Sequence, residues 1–436
     1  MRIGLVGPTN DERSLTFDAQ RTINLYPVFD QLGKEVSALY GVAGTKEEWD
    51  LEGCQLLYKA SNGSVFAIVN DALYELFDRT KPLPEVVRAL ISSTAPSELA
   101  DIEANFYRKL GQFDNGDFLI PTTFNLLRDS GRDYAIDQIK KQYTVAEDQT
   151  GLLICNGISL YKHTYGTAFG VTVPGSANLS KVSGTPFELD LSVDPSVFGV
   201  GAISFANGFV IAQENLTRRF WISAQFDGST WNSLDFATKE SYYDRLNFVK
   251  GVGGNLWLFG EESIEIWGLS GDPDFPFGRI SGAAITVGTN ARESVVDLGG
   301  IVLFIGRDRF GTAAVYAAAG TSLNSISTAP IERRLQSADI ETVKAFSYRE
   351  EGHTFYILTG GGLETALVYD VITKQWHERA FLDDCGEFIP FKYTTHCFGF
   401  ERHFVGGEGV KIAHLSQDYF DYDGEVMPRE RVYTHI

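Results

Sequence analysis

A repeated unit constrains the fold of this chain most strongly: an apolar run, a short polar turn and a second run that carries aromatic residues. The copies begin at Gly63, Gly151, Gly208, Gly254, Gly300 and Gly352, and a weaker copy runs from Phe398 to Leu415. From the third copy onward the starts lie roughly 45 to 55 residues apart, the period of four-stranded propeller blades. Each copy predicts a β-hairpin too apolar to face water, and radial stacking of such hairpins buries this surface. The sequence therefore predicts an all-β fold, a β-propeller of six or seven blades.

The apolar runs also predict which side chains lie in buried inner strands. Each run is bounded by turn residues, as buried strands require. The residues expected there are Val65, Phe66, Ile68, Leu152, Ile154, Val210, Trp257, Phe259, Val302, Phe304, Phe355 and Ile357.

Composition argues against a membrane-spanning segment, because no run of about 18 apolar residues occurs in the 436 residues. The first residues contain too short an apolar stretch for a signal peptide, so we expect a soluble protein made in the cytosol. The cysteines share no metal-binding spacing and are expected to be small buried side chains in a reducing compartment. The alternative for two of them is a Cys385–Cys397 disulfide.

The chain is strongly acidic, with 57 Asp and Glu against 37 Lys and Arg and a formal net charge of −20. This balance argues against a DNA-binding surface, which needs clustered Lys and Arg to displace counterions. Two explanations of the acidity stay open. It serves solubility alone, or it keeps a passing polyanion from adhering to the protein.

The pattern divides the chain into an extended N-terminal segment (1–50), the propeller (51–77 and 143–420), an insertion (78–142) and the start of a possible C-terminal β segment (421–436). The N-terminal segment contains an extended stretch expected to stop at Pro27. In the insertion, Ser97 is a candidate N-cap, and Leu99, Ile102 and Phe106 lie on one face of the helix that the spacing predicts. A second short helix is predicted at 134–141. The insertion either decorates the fold or docks another chain through the seam of Leu99, Ile102 and Phe106.

Motifs for catalysis, metals and cofactors are missing from the sequence: we find no HExxH, GxSxG, Walker or dinucleotide-binding pattern. The adjacent carboxylates Glu261-Glu262 and Asp383-Asp384 point to opposite faces if they lie in strands, so neither forms an acid/base pair by itself. Trp231 and Trp376 each follow an Asp in a turn, which favours a structural role in joining blades. We therefore predict no catalytic residue, no metal site and no cofactor.

Several blocks of the sequence, in order, resemble the packaged-DNA-stabilisation proteins of short-tailed phages (podoviruses), their tail hub or nozzle subunits. The first is Arg21-Thr-Ile-Asn-Leu-Tyr-Pro27, followed by a glycine-rich turn pair. The others are Gly254–Gly271 with Pro276-Phe277, Gly299–Gly320 with Ile326–Glu332, and Leu367–His377. The resemblance covers most of residues 15–77 and 145–420, and its signature residues are Arg21, Asn24, Tyr26, Pro27, Trp267 and Trp376.

The resemblance implies a non-enzymatic virion protein, made in the host cytoplasm, that forms a ring, expected to be a hexamer, below the portal and its adaptor. Such a ring extends or closes the tail channel, retains packaged DNA and lets it pass at ejection without sequence-specific binding. Tail needle, spike or fibre proteins are the further partners implied. The insertion departs from the family pattern, as does the end at Ile436, after which the family commonly continues into another β-rich segment.

Two other functions remain open from the sequence. One is a propeller enzyme that acts on glycans, such as a sialidase-like or other glycosidase. The other is a cytosolic propeller that serves as an interaction scaffold.

Overall fold

The computed structural model describes residues 20–29, 36–83, 88, 96–113, 142–168, 171–173, 179–188, 199–272, 275–307 and 311–432. The chain divides into two compact units. One combines Met1–Lys59 with Ala291–Ile436, and the other is Ala60–Asn290. We call them the terminal unit and the middle unit.

The terminal unit begins with five short strands. They are β1 (Arg21–Ile23), β2 (Leu25–Phe29), β3 (Val36–Gly41), β4 (Gly44–Glu52) and β5 (Cys54–Lys59). Strands β2 and β3 form a two-stranded antiparallel ribbon in which Pro27 pairs with Leu39. The prediction that the extended segment stops at Pro27 is therefore wrong. A two-stranded ribbon has only edges, and a proline without an N–H group is tolerated on an edge strand.

The middle unit consists of antiparallel strands that follow one another along the chain. The first group is β6 (Val65–Val69), β7 (Ala72–Leu76) and β8 (Tyr107–Gln112). The next sheet has the order β14-β11-β10-β9, from β9 (Thr144–Glu147), β10 (Gly151–Cys155), β11 (Leu160–Thr164) and β14 (Leu179–Lys181). Between β11 and β14 lies a small ribbon, β12 (Gly166–Ala168) with β13 (Val171–Val173).

Two four-stranded sheets in simple sequence order complete the middle unit. The first contains β15 (Val200–Ala206), β16 (Phe209–Glu214), β17 (Arg219–Ala224) and β18 (Asp227–Thr238). The second contains β19 (Leu246–Val252), β20 (Asn255–Gly260), β21 (Ile264–Leu269) and β22 (Phe277–Ile285).

The terminal unit resumes with a third sheet in simple order, β23 (Val296–Asp297), β24 (Ile301–Arg307), β25 (Ala313–Ala319) and β26 (Ser322–Ser325). A larger sheet follows, built on β27 (Val343–Glu350), β28 (His353–Gly360), β29 (Ala366–Asp370) and β30 (Gln375–Leu382). Its further members are β1, β31 (Phe388–Pro390) and β35 (Glu430–Val432).

The last sheet joins the two ends of the terminal unit. Three of its strands are β32 (Thr395–Gly399), β33 (Arg402–Gly407) and β34 (Val410–Ser416). Its fourth strand is β4 from the N-terminal segment, which pairs antiparallel with β34. Consecutive four-stranded antiparallel sheets are the blades of a β-propeller, so the predicted fold class is confirmed. The number of blades stays a prediction.

Hairpin turns explain why the repeated unit folds in this way. The β6–β7 turn consists of Asn70 and Asp71, with φ of 49° and 60°. Phe400 and Glu401 between β32 and β33 have φ of 47° and 62°. Two consecutive positive φ values belong to the type I′ turn, whose twist matches that of the flanking strands.

The predicted buried strands are confirmed. All twelve side chains predicted to lie in buried strands are at most 2% exposed. They lie in β6, β10, β16, β20, β24 and β28. Cys54, Cys155 and Cys397 are buried free thiols and Cys385 is exposed and free, so the alternative of a Cys385–Cys397 disulfide is wrong.

Helices are few in the described part of the chain: α1 (Pro96–Asn105), α2 (Ala329–Ser337) and two 3-10 turns at Arg292–Ser294 and Ile340–Thr342. Helix α1 lies between β7 and β8, within the predicted insertion, and the insertion as a whole stays a prediction. The structure differs from its predicted bounds, because Tyr107–Gln112 is a strand that pairs with β7. The helix predicted at 134–141 lies outside the described residues. No helix in the described ranges is long and apolar enough to cross a membrane.

Candidate functional site

The signature segment at residues 21–27 lies inside the terminal unit. Strand β1 runs parallel to β30, with Ile23 opposite Glu378, and antiparallel to β35, with Arg21 opposite Val432. The three-residue strand β1 therefore lies between β30 and β35 and links the sheet of β27–β30 to the C-terminal segment. The 421–436 region supplies β35 to this arrangement, and residues 433–436 lie outside the described part.

Asn24 occupies the centre of this junction and is fully buried. Its side-chain amide donates to the carbonyl oxygens of Ala380 (2.9 Å) and Pro428 (2.7 Å). Its side-chain oxygen accepts from the Ala380 N–H (3.1 Å) and the Tyr422 hydroxyl (3.0 Å). Its backbone has φ of 52°, a left-handed conformation in which Asn is enriched among residues other than glycine. One side chain thus satisfies polar groups from three separate segments.

Arg21 takes part in a second polar cluster, around the fully buried carboxylate of Glu378. The guanidinium groups of Arg21 and Arg334 lie 3.0 Å and 2.8 Å from this carboxylate, and the Thr365 hydroxyl donates to it at 2.7 Å. Burial by itself would raise the pKa of Glu378, but Arg334 and Arg21 more than offset this effect and hold that pKa below its usual value. The cluster therefore contains an ionised glutamate between two arginines.

Tyr26 and Pro27 are buried in β2. The Tyr26 ring packs edge-to-face on Phe355 at 5.2 Å and on His353 at 5.0 Å between ring centres. Together with Arg21 and Asn24, these residues anchor the N-terminal segment to the terminal unit. The signature residues at 21–27 thus form one contiguous structural site.

The two signature tryptophans lie elsewhere. The Trp376 indole N–H donates to the carbonyl oxygen of Ile326 (2.9 Å), just after the neighbouring sheet's last strand, as expected of a residue that joins blades. Trp267, in the middle unit, donates to Glu265 (3.0 Å) and packs edge-to-face on Phe220 at 5.3 Å. Both tryptophans are buried and make structural contacts.

The candidate docking seam contacts its own unit. Ile102 is 1% exposed and clusters with Phe77 and Leu83, and Phe106 packs against the same cluster. Phe106 follows α1 with φ of 58°, so it belongs to the turn into β8. The side chain of Leu99 lies outside what the structure describes. Docking through this seam stays a prediction, and the Ile102 side chain is already covered within the chain.

Carboxylates that sequence reasoning passed over are engaged in buried ion pairs. Asp148 pairs with Lys162 at 2.7 Å and accepts from the Gly228 N–H at 3.0 Å. Asp244 pairs with Lys239, whose side chain is fully buried. Lys162 follows Leu160 and Tyr161 in β11, and a lysine in that position was the signal that could have indicated its pair. The sequence around Lys239 contains no such signal. Among the described residues, no group of three or more His, Cys, Asp or Glu is placed to hold a metal ion.

A cavity of about 450 Å³ lies in the middle unit, where the β16–β17 turn meets the β18–β19 connection. Three of the residues that line it are arginines. The lining residues are Leu216, Thr217, Arg218, Arg219, Thr238, Tyr243 and Arg245. This cationic lining is unusual in a chain with a net charge of −20. Arg218 and Arg219 are adjacent in the sequence, but Arg245 lies 26 residues after Arg219, and no pattern in the sequence indicates that the three cluster.

Comparison with known proteins supplies a family. The sequence model of the family described as "Bacteriophage P22 Gp10, beta-propeller" matches residues 158–384, just over half of the chain. No curated protein matches the sequence of this chain.

Several solved structures share a distant likeness. One is the extracellular domain of a putative hybrid two-component system from B. thetaiotaomicron, 7% identical over 86% of this chain and 40% of that one, with a TM-score of 0.45. PorZ of the type-IX secretion system of Porphyromonas gingivalis is 11% identical over 89% of this chain and 39% of that one, with a TM-score of 0.40. YCF48 from Cyanidioschyzon merolae is 10% identical over 87% of this chain and all of that one, with a TM-score of 0.44.

The chain spans about two fifths of the length of the first two structures. Identities and TM-scores this low say nothing about function. The family match, by contrast, covers more than half of the chain and names the fold that the four-stranded sheets form. The chain therefore belongs to the bacteriophage family described as the P22 Gp10 β-propeller, and it is a phage structural protein.

Proposed function

We propose that this protein is a subunit of the phage tail tube, a nozzle or hub that extends or closes the channel below the portal and adaptor. Copies of the chain form a ring, expected to be a hexamer, which retains packaged DNA and lets it pass at ejection. The portal adaptor and a tail needle, spike or fibre are its expected partners. The observation that carries the proposal is the match of residues 158–384 to the phage β-propeller family.

The anchored N-terminal segment supports a role in which the subunit resists the pressure of packaged DNA. Strand β4 completes the sheet of β32–β34, and Asn24 links β30 to the C-terminal segment through four hydrogen bonds. Segments from both ends of the chain are therefore tied into the same unit. A subunit under pressure from packaged DNA benefits from such ties, since an end that peels away is the usual start of local unfolding.

The acidity of the chain supports passage of DNA without adhesion. A duplex binds proteins mainly through Lys and Arg that displace its counterions, and this chain has a deficit of such residues. Repulsion between exposed carboxylates and phosphates acts only within a Debye length of about 8 Å at physiological salt. A narrow channel wall satisfies this condition, so we propose an acidic lumen.

A glycan-acting enzyme is the alternative that the sequence left open, and no observation favours it. A retaining glycosidase needs two carboxyl groups about 5 Å apart in an open cleft. Asp148 and Asp244 are instead paired with buried lysines.

The test is a conditional phage mutant that lacks this chain. We expect capsids that fill with DNA and then lose it, counted as empty particles by electron microscopy and by nuclease-sensitive DNA. Supplying the wild-type chain in trans is the matched control and should restore full, infectious particles. Mutant particles that hold their DNA and infect at the wild-type level would contradict the proposal.

A second measurement tests the charge argument. The purified protein should show no shift of duplex DNAs of unrelated sequence at physiological salt. Lysine substitutions at lumen-facing Asp and Glu positions should slow ejection, because each adds a phosphate contact. Ejection of these variants at the wild-type rate would leave the acidity as a property of solubility alone.

A further inference from the structure

The arginine-lined cavity of the middle unit is the most distinctive surface feature that the proposed function leaves unused. Arg218 stacks on the ring of Tyr243, with 4.1 Å from the guanidinium carbon to the ring centre. Tyr243 is 91% exposed, so this stacked pair faces solvent. Exposed tyrosine and arginine side chains are the residues most enriched at the energetic centres of protein interfaces.

The charges in the cavity are only partly balanced. Arg219 is neutralised by the buried carboxylate of Glu214 at 2.9 Å. Arg218 makes one long hydrogen bond, 3.4 Å, to the backbone oxygen of Lys239. Arg245 is exposed and has no ion pair with any described residue, although Glu261 lies close enough to be influenced by it. Two guanidinium groups, those of Arg218 and Arg245, are thus available to an anionic ligand.

An acidic protein segment fits this cavity better than DNA does. A duplex is a long polyanion that the net charge of −20 repels over its whole length, whereas a short segment brings only a few carboxylates. Arginine also recognises carboxylates with paired hydrogen bonds. The most abundant acidic protein near any copy in an assembly is another copy of the chain.

The chain carries a matching acidic element, the hairpin between β30 and β31. Asp383 holds the turn by accepting from the N–H groups of Cys385 (2.9 Å) and Glu387 (2.8 Å). Asp384 and Glu387 are exposed, and neither has an ion pair with a described residue. The backbone of the turn is therefore held in place, and it presents two exposed carboxylates at the tip of a two-stranded extension.

We propose that the cavity formed around Arg218, Tyr243 and Arg245 receives the acidic hairpin 383–387 of a second copy of this chain. The two surfaces come from different parts of the sequence, so the contact is heterologous and repeats from copy to copy. Repetition of a heterologous contact closes a ring when the rotation allows it. The inference rests on the proposed function only in that a ring needs such a contact.

Charge reversal tests the pairing of the two surfaces. The variants are Arg218→Glu with Arg245→Glu, Asp384→Lys with Glu387→Lys, and all four changes together. Self-association is measured by sedimentation velocity and native mass spectrometry. Each pair of changes should weaken association about tenfold or more, and the fourfold variant should recover a large part of it, since complementary charges are restored. Reversals at the exposed Lys109 and Glu408 are matched controls and should have no effect.

A crosslink provides a second readout, because Cys385 lies at the tip of the hairpin and is exposed. The variant Thr217→Cys places a thiol in the lining of the cavity. Mild oxidation should then yield disulfide-linked oligomers on a non-reducing gel. The same variant with Cys385→Ser should yield none.

Several outcomes would overturn the inference. The arginine reversal could leave association unchanged, or the wild-type chain could be monomeric at all concentrations with no crosslink formed. Failure of the fourfold variant to recover would show that the occupant is not the hairpin. Binding of duplex DNA or inorganic phosphate that the arginine reversal abolishes would assign the cavity to phosphates. A chain that assembles through this contact but is dispensable for DNA retention would refute the proposed function and leave the contact standing.

Discussion

Replacing Asn24 with alanine should loosen the junction between β1, β30 and the C-terminal segment. The substitution removes four hydrogen bonds and leaves two carbonyl oxygens, one N–H and one hydroxyl without their partner in a fully buried place. Each such loss costs about 1 kcal/mol. Alanine at a φ of 52° adds about 1 kcal/mol of backbone strain. Local relaxation recovers part of this sum, so we expect the terminal unit to lose about 3–5 kcal/mol of stability.

Hydrogen-exchange mass spectrometry is the suitable assay, because two compact units need not unfold together. The peptide that contains β30, residues 375–382, reports opening of the junction directly. A loss of about 3–5 kcal/mol should speed its exchange by about two to three and a half powers of ten. Peptides from the middle unit should exchange at the wild-type rate.

Two further variants test whether the loss of stability comes from the hydrogen bonds of Asn24. Asn24→Asp keeps the shape but replaces the donor by a carboxylate oxygen facing the carbonyls of Ala380 and Pro428. It should be at least as damaging near neutral pH and should recover on acidification, since a protonated carboxyl donates again. Asn232→Ala, at an exposed position, should change stability by less than about 0.5 kcal/mol. Exchange of β30 in Asn24→Ala within threefold of the wild-type rate would refute the reasoning.

Three other predictions concern single buried groups. Glu75 is 2% exposed, and burial raises its pKa to about 8 although the nearby Arg108 lowers it. In its protonated form Glu75 contributes stability to the fold. That contribution is fully present below about pH 4 and is lost as the pH rises through about 8. In urea titrations the free energy of unfolding of the middle unit should fall between pH 5 and pH 9, and it should fall less steeply in Glu75→Gln. The same pH dependence in both proteins would contradict the raised pKa of Glu75. The lowered pKa of Glu378 means that its ionised carboxylate contributes stability at neutral pH, and this contribution is lost as the pH falls through that pKa. Arg21→Ala removes one of the two cations that lower this pKa. The pH at the midpoint of acid unfolding should therefore be higher in this variant. An unaltered midpoint would show that Arg334 alone is enough to keep Glu378 ionised. Trp376→Phe loses the hydrogen bond to Ile326 and should cost about 1–2 kcal/mol by calorimetry, whereas no change would argue against a role in joining sheets.

Local pattern was enough to predict the buried strands. Val65 and Phe66, for example, lie in an apolar run between turn residues, and such runs have few alternatives to a buried strand. The Asp-to-Trp spacing around Trp376 likewise indicated a structural role, and the indole does bond to the adjacent sheet. These features depend on residues that are close together in the sequence, so a reading of the sequence alone can predict them.

Features that depend on distant residues were not predictable. The fourth strand of the last sheet is β4, more than 350 residues from its partner β34, and no local signal indicates the pairing. Strand β8 lies inside the region predicted to be helical, because its pairing with β7 depends on residues more than 30 positions away in the sequence. The role of Asn24 depends on Ala380, Tyr422 and Pro428, which a reading along the chain cannot bring together.

The arginine cavity shows the same limit for a candidate site. Arg218 and Arg219 are adjacent in the sequence, but Arg245 joins them only because β18 returns the chain to the start of β17, where Thr238 pairs with Arg219. Net charge, by contrast, is an additive property, so the acidic character was evident from composition alone. Composition does not show where the charges lie, so it did not indicate the arginine cluster.

An electron cryomicroscopy map of the assembled virion tail tests the central claim most directly. The proposed function predicts copies of this β-propeller arranged as a ring around the axial channel, below the portal and adaptor, with the acidic hairpin of each copy near Arg218 of the next. A map that places the chain outside the axial channel, or a tail complete without it, would contradict the proposed function.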